Sequence, residues 1–447
     1  MNRFPERWDN VAEVLVIGTG FAGLTAAIEA YDMGKSVLIL EKMPTPGGNS
    51  IISAGGTNAV DPKRQTPYGI KDSVNLHFKQ TFEGGNRIGD PEKIGFMVEN
   101  ALEMCINWLE SIGIEWQERV IMEYGSLWER THVPKYKKYR RGAAIIYALL
   151  DQVKKRGIPI LLKHKVTRII REMPLKGKVL GIEVENEGKK IYFKTIKALI
   201  LASGGFPADL EMVLDHDRRL ANTPTTSQIG STGECIKMAE DIGADVIGMD
   251  YILCVPMVAR PPYKARFFIV NDRESRGMRN NYKVFVDKEG NRFIGEDGRR
   301  DEITFAALSQ RSFDPVPIVS VDTIDELEMN LGIPEGNLVK TLEKYNSYCD
   351  ANHDPDFGKH PSTLIPCATP PFQAHSVTSG RHHTMGGLKV KGTTGQIIDR
   401  WGNTIPHFYA AGEVTGGTHG TNRLGANAIT NCVVFGRAVG ISVSQNT

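Results

Sequence analysis

Three glycines near the N-terminus have the spacing of a nucleotide-binding loop. Gly18, Gly20 and Gly23 complete the pattern G-x-G-x-x-G, and Glu41 follows 18 residues after the last of them. Glycines without a Cβ let backbone N–H groups approach a pyrophosphate at a helix start, and an acid at that spacing can accept hydrogen bonds from a ribose. These residues favour a dinucleotide site over a plain glycine turn with a surface glutamate.

Two adjacent histidines, His382 and His383, lie near the C-terminus in the stretch SGRHHTMGG. Paired histidines can ligate a metal, take part in proton transfer or occupy a polar turn. The chain has no cysteine, histidine or carboxylate spacing typical of a metal site. We therefore predict no metal here, and the residues alone leave the other two roles open.

The glycine pattern lies at the joint between a predicted strand and a predicted helix. Residues 11–18 (VAEVLVIG) predict a strand, residues 19–34 a helix and residues 35–42 a second strand, which together form a βαβ unit. The following residues, 43–60, are too rich in glycine and serine for an immediate third strand. A loop of this kind, wrapped around a flavin pyrophosphate, favours FAD over NAD.

Later segments return to the same nucleotide-binding pattern. Strands are predicted at 158–163, 184–194, 197–206 and 405–417, and a final amphipathic helix at 426–443. Helix-forming segments at 324–332 and 336–353 interrupt that pattern. The C-terminal end is therefore expected to fold back beside the N-terminal end.

The composition is that of a globular enzyme with room for two lobes. Of 447 residues, 41% are apolar and 24% are charged, and the formal net charge is +2. This small charge gives no reason to expect nucleic acid or a membrane as partner. The N-terminus lacks a secretory signal, and no apolar run reaches the roughly 18 residues of a membrane span. Six widely spaced cysteines are typical of free thiols, so we expect a cytoplasmic location.

Six motifs together resemble the flavoproteins of the fumarate reductase and succinate dehydrogenase family. The likeness is greatest to the flavocytochrome-c-type branch, which includes urocanate and other enoate reductases. The motifs, in chain order, are GTGFAGLTAAIEA, GGNSIISAGGTNA, GSTGE, EGNRF, HHTMGG and AAGEVTGGTHGTNRLGANAI. The resemblance implies an α/β fold, a Rossmann-like FAD-binding domain (1–249 and 376–447) interrupted by a smaller α+β capping domain (250–375).

The glycine pattern and the resemblance together imply a set of residues around FAD. Asn49 and Ser50 occupy the region where membrane-bound relatives carry a flavin-linking histidine, so the flavin is expected to be non-covalent. His383 is expected to meet the flavin through its backbone, and the final helix to point its N-terminus at the ring. The full set is Gly18, Gly20, Phe21, Ala22, Gly23, Glu41, Lys42, Gly48, Asn49, Ser50, Gly55, Gly56, Val166, Ser203, Gly204, His383, Gly412, Glu413, Asn427, Ala428 and Ile429.

The resemblance also implies the groups that would reduce an activated alkene with a hydride from flavin N5. Arg423 and His382 match the family's carboxylate-binding residues, and a guanidinium suits a carboxylate through its paired donors. Arg300 matches the proton-donating arginine, although a slip of one residue would select Arg299. Arg279 matches the arginine of the proton relay.

Departures from the family pattern bear on the substrate. Val255 stands where fumarate reductases have a second carboxylate-binding histidine, and a Thr-Glu pair aligns with Ser275 and Arg276. Valine cannot hydrogen-bond a carboxylate, so the sequence favours an enoate with one carboxylate and an apolar distal end. Arg276 could instead serve a differently shaped diacid, and Glu274 could replace the lost relay glutamate.

The distal end of the substrate is expected to meet an aromatic segment. Tyr124, Trp128 or His132 could line this part of the pocket, although the same segment could equally be a basic surface loop with structural aromatics.

Several alternatives stay open at this point. A fumarate-like dicarboxylate enzyme is one, and a 3-ketosteroid-type flavin enzyme is another, although members of that type look as though they lack the NRLG arginine. A non-enzymatic electron carrier would have no use for Arg300, His382 and Arg423 together. Since no haem or iron–sulfur spacing is present, electrons are expected from a separate protein carrier or from reduced nicotinamide or flavin.

Overall fold

The computed structural model describes residues 4–136 and 138–445. Its first part contains nine strands: β1 (Asn10–Ile17), β2 (Val37–Leu40), β3 (Thr57–Asn58), β4 (Thr131–His132), β5 (Ile160–Leu161), β6 (Lys165–Met173), β7 (Lys176–Asn186), β8 (Lys189–Leu201) and β9 (Val246–Ile247). The helices of this part are α1 (Phe21–Asp32), α2 (Gly48–Ile52), α3 (Pro62–Gln65), α4 (Val74–Gly84), α5 (Pro91–Asn100), a π-helical segment (Ala101–Asn107), α6 (Trp108–Ser111), α7 (Gly142–Lys155), α8 (Leu210–His216) and α9 (Glu234–Asp241).

The middle and the end of the chain complete the fold. The remaining strands are β10 (Ile252–Val258), β11 (Phe267–Asn271), β12 (Val284–Val286), β13 (Val319–Val321), β14 (Phe372–Thr384), β15 (Gly387–Leu388), β16 (Val390–Lys391), β17 (Gln396–Ile398) and β18 (Thr404–Ala410). The remaining α-helices are α10 (Arg300–Ser309), α11 (Ile324–Leu331), α12 (Asn337–Asp350) and α13 (Asn427–Gln445).

The larger sheet places the nucleotide loop at its centre. Its main order is β16-β17-β18-β8-β1-β2-β5, and the hairpin β6–β7 joins it through β8. The strand β1 runs parallel to β2 and β8, and β18 runs parallel to β8. Since helices cover the apolar faces of such strands, the run VLVI (14–17) is buried on both sides. The carboxyl ends of β1 and β8 therefore meet at one edge of the sheet.

The second sheet belongs to the region predicted as the cap. It has the order β10-β14-β11-β12, with β13 also paired to β14. The helices α11 and α12 bury their apolar faces against it in a separate core. The long strand β14 continues from this core to the paired histidines, so the predicted boundary between residues 375 and 376 falls inside one strand. This continuity fixes the cap sheet relative to His382 and His383.

Most predicted elements occur close to their predicted bounds, but the strand predicted at 184–194 was wrong, because this range contains the turn between β7 and β8. The helix predicted at 19–34 spans Phe21–Asp32, and the strand predicted at 158–163 is shorter, Ile160–Leu161. The two cap helices and the final helix also lie where their apolar spacing placed them. Within the described ranges, no helix combines the length and apolar character that crossing a membrane requires.

Candidate functional site

The turn after β1 brings backbone against backbone, and this explains two of its glycines. Gly18 has a φ of +107°, and a Cβ there would lie 2.4 Å from the carbonyl oxygen of Ala202. A Cβ on Gly23 would lie 2.1 Å from the carbonyl oxygen of Gly18. Any larger side chain would push α1 away from the strand ends, so the loop keeps its N–H groups open only with glycine at both positions.

Glu41 ties the loop to the end of β2. Its Oε2 accepts hydrogen bonds from the backbone N–H and the hydroxyl of Thr19, at 3.1 and 2.6 Å, and Oε1 accepts from the N–H of Met43 at 2.9 Å. The neighbouring Lys42 forms an ion pair of 2.6 Å with Glu234. Oε2 already accepts two hydrogen bonds, but Oε1 has a further lone pair and can still accept one from a ligand hydroxyl.

Thirteen of the residues predicted around FAD line one cleft with about 920 Å³ of empty space. A Cβ added to Gly48 or Gly204 would meet no described atom within 4 Å, so the cleft is open beside both. A glycine-lined, elongated space with an acidic acceptor at one end fits a dinucleotide. The thirteen are Gly18, Gly20, Phe21, Ala22, Glu41, Lys42, Gly48, Asn49, Ser50, Val166, Ser203, Gly204 and Glu413.

The other eight residues predicted around FAD lie outside that lining. His383 places Nδ1 3.3 Å from Glu413 Oε2, so it reaches the cleft through this glutamate. The side chain of Asn427 is used inside the protein, where its Oδ1 accepts from Asn58 and its Nδ2 donates to Thr81. The eight are Gly23, Gly55, Gly56, His383, Gly412, Asn427, Ala428 and Ile429.

Three groups from distant segments form a cationic cluster at the junction of the two sheets. Arg300 begins α10, His382 lies near the end of β14, and Arg423 precedes α13. Burial is the main reason for the lowered pKa of His382, and the charges of Arg423 and Arg300 lower it further. Burial also lowers the pKa of Arg423 to about 9, with Arg300 adding to the effect. Such a cluster favours binding of an anion, because a carboxylate would offset the repulsion between the cations.

A hydroxyl sets the orientation of the His382 ring. Thr226 Oγ1 lies 2.7 Å from His382 Nδ1, and the backbone of Thr226 is itself bonded to the carbonyl of Arg381. The same hydroxyl lies 3.2 Å from the carbonyl oxygen of Arg381; when it donates to Nδ1 instead, the single proton of the neutral imidazole lies on Nε2. That tautomer can donate a hydrogen bond to an anion in the cluster.

Arg300 is buried with much of its hydrogen-bonding capacity unused. Its Nη2 donates to the carbonyl oxygen of Tyr124, and its guanidinium carbon lies 5.3 Å from the centre of the Tyr124 ring. Within the described ranges, Nε and Nη1 have no hydrogen-bond partner. Burial lowers the pKa of Arg300. Two free donors on a buried cation are available to a substrate or a water molecule.

Its neighbour Arg299 is engaged elsewhere. The Arg299 guanidinium pairs with Asp301, and Nη1 donates to Asn86 Oδ1 at 2.8 Å. The geometry therefore favours Arg300 over Arg299 as the group that faces a substrate. Arg279 lies nearby, with Nη2 2.8 Å from Glu123 Oε2.

The residues predicted to set substrate choice separate into two groups. Val255 lies in β10 opposite Gly380, two residues before His382 in β14. Ser275 is buried in a turn, where its hydroxyl donates to Asp272 Oδ1 at 2.8 Å, and Arg276 is exposed on the surface of the cap. Only Val255 of these three therefore lies on the strand pair that carries His382.

Only part of the aromatic segment lies beside the cationic cluster. Tyr124 is buried beside Arg300 and packs against Phe267 and Phe285 of the cap sheet. Trp128 instead donates to the carbonyl of Lys71, and His132 lies 3.1 Å from Asp61. Tyr124 is therefore the aromatic residue of this segment that touches the cationic cluster.

Three residues near the cluster had no role in the sequence-based expectations. Glu123 pairs with Arg279, Thr226 orients His382, and His419 packs its ring 5.9 Å from that of His383. His419 lies inside the last quoted motif and the other two lie outside the quoted motifs, and none has a spacing that identifies its role. Only the packing of the segments brings them to the cluster.

The chain is similar to known flavoproteins along nearly its whole length. A family described as "FAD binding domain" matches residues 13–429. An NADH:fumarate oxidoreductase of Klebsiella pneumoniae is 34% identical over 96% of this chain, which spans 47% of that protein. A urocanate reductase of Eggerthella lenta is 31% identical over 98% of this chain and 76% of its own length. The open conformation of a flavocytochrome c3 fumarate reductase matches with a TM-score of 0.76 at 30% identity, over 98% of this chain and 79% of its own.

Proposed function

The chain belongs to the FAD-binding-domain family of flavoprotein oxidoreductases that act on C=C bonds, and on this premise we propose that it reduces an α,β-unsaturated monocarboxylic acid. The observation that carries the proposal is the convergence of Arg300, His382 and Arg423 at the junction of the two sheets. The two oxygens of a carboxylate can accept hydrogen bonds from a guanidinium and from a neutral imidazole N–H together.

Each group of the cluster has a distinct task in this proposal. Arg423 and His382 Nε2 hold the carboxylate, so they draw electron density away from the conjugated double bond. When bound, FAD supplies a hydride from N5 to one carbon of that bond. Arg300 presents an N–H to the other carbon, which becomes basic as the hydride arrives. Tyr124 holds the Arg300 guanidinium through its carbonyl and its ring.

The flavin is proposed to be held without a covalent bond. Asn49 and Ser50 line the cleft, and neither side chain is of the type that links a flavin. Ser50 Oγ accepts from the N–H of Phe21 at 3.0 Å, and Asn49 Oδ1 accepts from the N–H of Gln228 at 2.7 Å. Both side chains therefore hold the loop in shape. Electrons are proposed to come from a separate carrier or from reduced nicotinamide.

Val255 is the reason to propose an acid other than fumarate. Its half-buried side chain lies on the strand pair that carries His382, where it offers a second carboxylate no hydrogen bond. A buried polar group that loses its hydrogen bond costs roughly 1–3 kcal/mol, and a buried charge without a partner costs more. Arg276 is too exposed to offset this cost. An apolar distal end would instead gain from contact with Val255 and Met257.

A panel of acids tests the proposal directly. The FAD-loaded protein is photoreduced without oxygen, and flavin reoxidation is recorded with acrylate-like, cinnamate-like, urocanate and fumarate substrates and with a cyclic enone. We expect rapid reoxidation by at least one monocarboxylic enoate and slow reoxidation by fumarate. Reoxidation by the enone alone would contradict the role of the carboxylate, and rapid reoxidation by fumarate would identify a dicarboxylate enzyme.

A substitution in β10 sharpens the same test. Val255→His should raise kcat/KM for fumarate about tenfold or more, because a hydrogen bond to a charged group contributes about 1.5–3 kcal/mol. Val258→His is the matched control, since Val258 lies in the same strand and is exposed. An equal gain in both variants would show that the added positive charge, rather than its position, is responsible.

A further inference from the structure

Arg300 is shielded from water, so each proton that it gives away must be replaced through neighbouring groups. Arg300 is only 7% exposed. Glu274, the acid nearest in the chain to the expected relay position, lies beside Arg273 and has a side chain that is 62% exposed. Arg276 is exposed as well. Neither residue faces Arg300, so the turn at 272–276 leaves the proton path without an acid.

A different acid lies beside Arg279 and is close enough to Arg300 for its charge to act on that guanidinium. The side chain of Glu123 is 8% exposed, and its Oε2 lies 2.8 Å from Arg279 Nη2. Its Oε1 accepts from the N–H of Tyr124 at 3.0 Å, and the carbonyl of Tyr124 accepts from Arg300. Glu123 and Tyr124 thus connect the two arginines through two adjacent residues.

The second oxygen of Glu123 has unused hydrogen-bonding capacity. The approach of Arg279 is outside the angle of a hydrogen bond, and Oε2 accepts none from the part of the chain that the structure describes. Arg300 likewise has two unused donors, Nε and Nη1. Both side chains therefore keep hydrogen-bonding atoms that no described residue uses.

The surrounding charges make Glu123 the acid of this cluster. The ionisable groups that its charge influences are Arg279, Arg300, Arg423 and Tyr282. Burial lowers the pKa of Arg300 and of Arg423, and the negative charge of Glu123 opposes that decrease in both. One carboxylate therefore serves three arginines, and a substrate carboxylate would add the next negative charge.

Exposure gives the path a direction. The Arg279 side chain is 28% exposed, whereas the Glu123 side chain is 8% exposed and Arg300 is buried. A proton entering from water therefore reaches Arg279 first. Water itself need not enter the cluster, where it would compete with the substrate for the arginine donors.

We propose that Glu123 is the relay acid of this chain, passing protons from Arg279 to Arg300 during the proposed enoate reduction. In each turnover an N–H bond of Arg300 breaks as the new C–H bond forms. Arg279 then passes a proton to the Glu123 carboxylate, the resulting carboxylic acid passes that proton to the neutral Arg300, and solvent restores the proton of Arg279. No group on this path changes its oxidation state. Glu123 does not touch the substrate and acts on the reaction through Arg300.

The test compares Glu123→Gln with wild type in the reoxidation of photoreduced FAD by the best enoate of the panel. Glutamine keeps the shape and can still accept from Tyr124, but it cannot pass a proton. We expect kcat to fall about 100-fold or more with KM changed by less than about threefold, as the loss of a general acid–base group would cause. Glu123→Ala should regain part of its kcat when acetate or formate is added, because a small acid can occupy the vacated space.

Glu129→Gln is the matched control, because Glu129 lies in the same segment and pairs with Arg119 at 2.9 Å. It should keep wild-type kcat. If Glu123→Gln does not hold FAD, Arg279→Gln takes its place, and the relay then requires a fall in its kcat. Wild-type kcat in Glu123→Gln or Arg279→Gln, or a loss that no small acid rescues in Glu123→Ala, would overturn the relay. Inactive wild type with every enoate would instead refute the proposed function.

Discussion

The cleft beside Gly18 and the cationic cluster around Arg300 differ in how far along the chain their residues lie. Much of the cleft comes from residues 17–50, within one βαβ unit and the loop after it. The cluster takes Glu123, Arg279, Arg300, His382 and Arg423 from five separate segments. A ligand site built from backbone depends on local turn geometry, whereas a site built from charged side chains depends on how distant segments pack.

The two regions also differ in whether their charged side chains have partners within the protein. Around the cleft, Glu41 is bonded to backbone and hydroxyl donors, and Lys42 has its own partner in Glu234. In the cluster, buried arginines keep donors that have no partner among the residues the structure describes. Unpaired buried cations destabilise a fold unless a ligand pairs with them. The cluster is therefore suited to an anion. The cleft is suited to a long ligand that is uncharged apart from its pyrophosphate.

The largest expected effect separates chemistry from cofactor binding. Arg300→Ala should lower kcat by about 100- to 10,000-fold, as the loss of a proton donor does, while FAD stays bound because Arg300 does not line the cleft. Stopped-flow reoxidation gives kcat, and the flavin absorbance of the purified protein gives occupancy. Loss of FAD together with kcat would show that the two regions are not independent.

A substitution in the nucleotide loop should instead weaken FAD binding and leave the cationic cluster intact. Gly18→Ala places a Cβ 2.4 Å from the Ala202 carbonyl at a φ of +107°, so the loop must shift. We expect a loss of about 1–3 kcal/mol in the free energy of unfolding and a matching fall in FAD affinity. Thermal unfolding and flavin titration measure these. Gly34→Ala is the control, because Gly34 also has a positive φ but its Cβ would meet no described atom. Equal FAD affinity in both variants would contradict the backbone role.

The smallest expected effect is a pH dependence of kcat/KM that arises from the cationic cluster. Burial lowers the pKa of Arg423 to about 9, so in the free protein its charge is lost as the pH rises through that value. Carboxylate binding needs the charged form, and kcat/KM for the enoate should fall above pH 9 by up to about tenfold per pH unit. Reoxidation by dioxygen, which needs no carboxylate, should stay nearly constant. A flat enoate profile to pH 10.5 would remove Arg423 from the binding step.

Much of the flavin half could be predicted because its signals are local. The alternation and length of residues 11–42 predict strand, helix and strand, and G-x-G-x-x-G places the turn within a residue or two. The final helix and the two cap helices follow from apolar spacing in the same way. The length of β14 and its path through both regions had no such signal, since its core lies among partners far away in the chain.

The substrate half could be predicted only in part. Resemblance identified Arg300, His382 and Arg423 as candidates, and packing brings these three together. The same reasoning placed Ser275 and Arg276 near the substrate, but the backbone of the turn sends one toward Asp272 and the other to the surface. It also left open whether Glu274 or no acid at all replaces the relay glutamate, because aligned positions do not show which side chains face each other.

By itself, the sequence determined the βαβ unit, the glycines that require close backbone approach, and the residue types able to hold an anion, because these follow from local geometry and side-chain chemistry. The tertiary structure decided which charges meet. Glu123 is one carboxylate among many in the sequence, and it becomes the neighbour of three arginines only because the loop before β4 packs between the cap and the segment that leads to α13. Electrostatic interaction depends on distance through space and on burial, and the order of residues along the chain specifies neither.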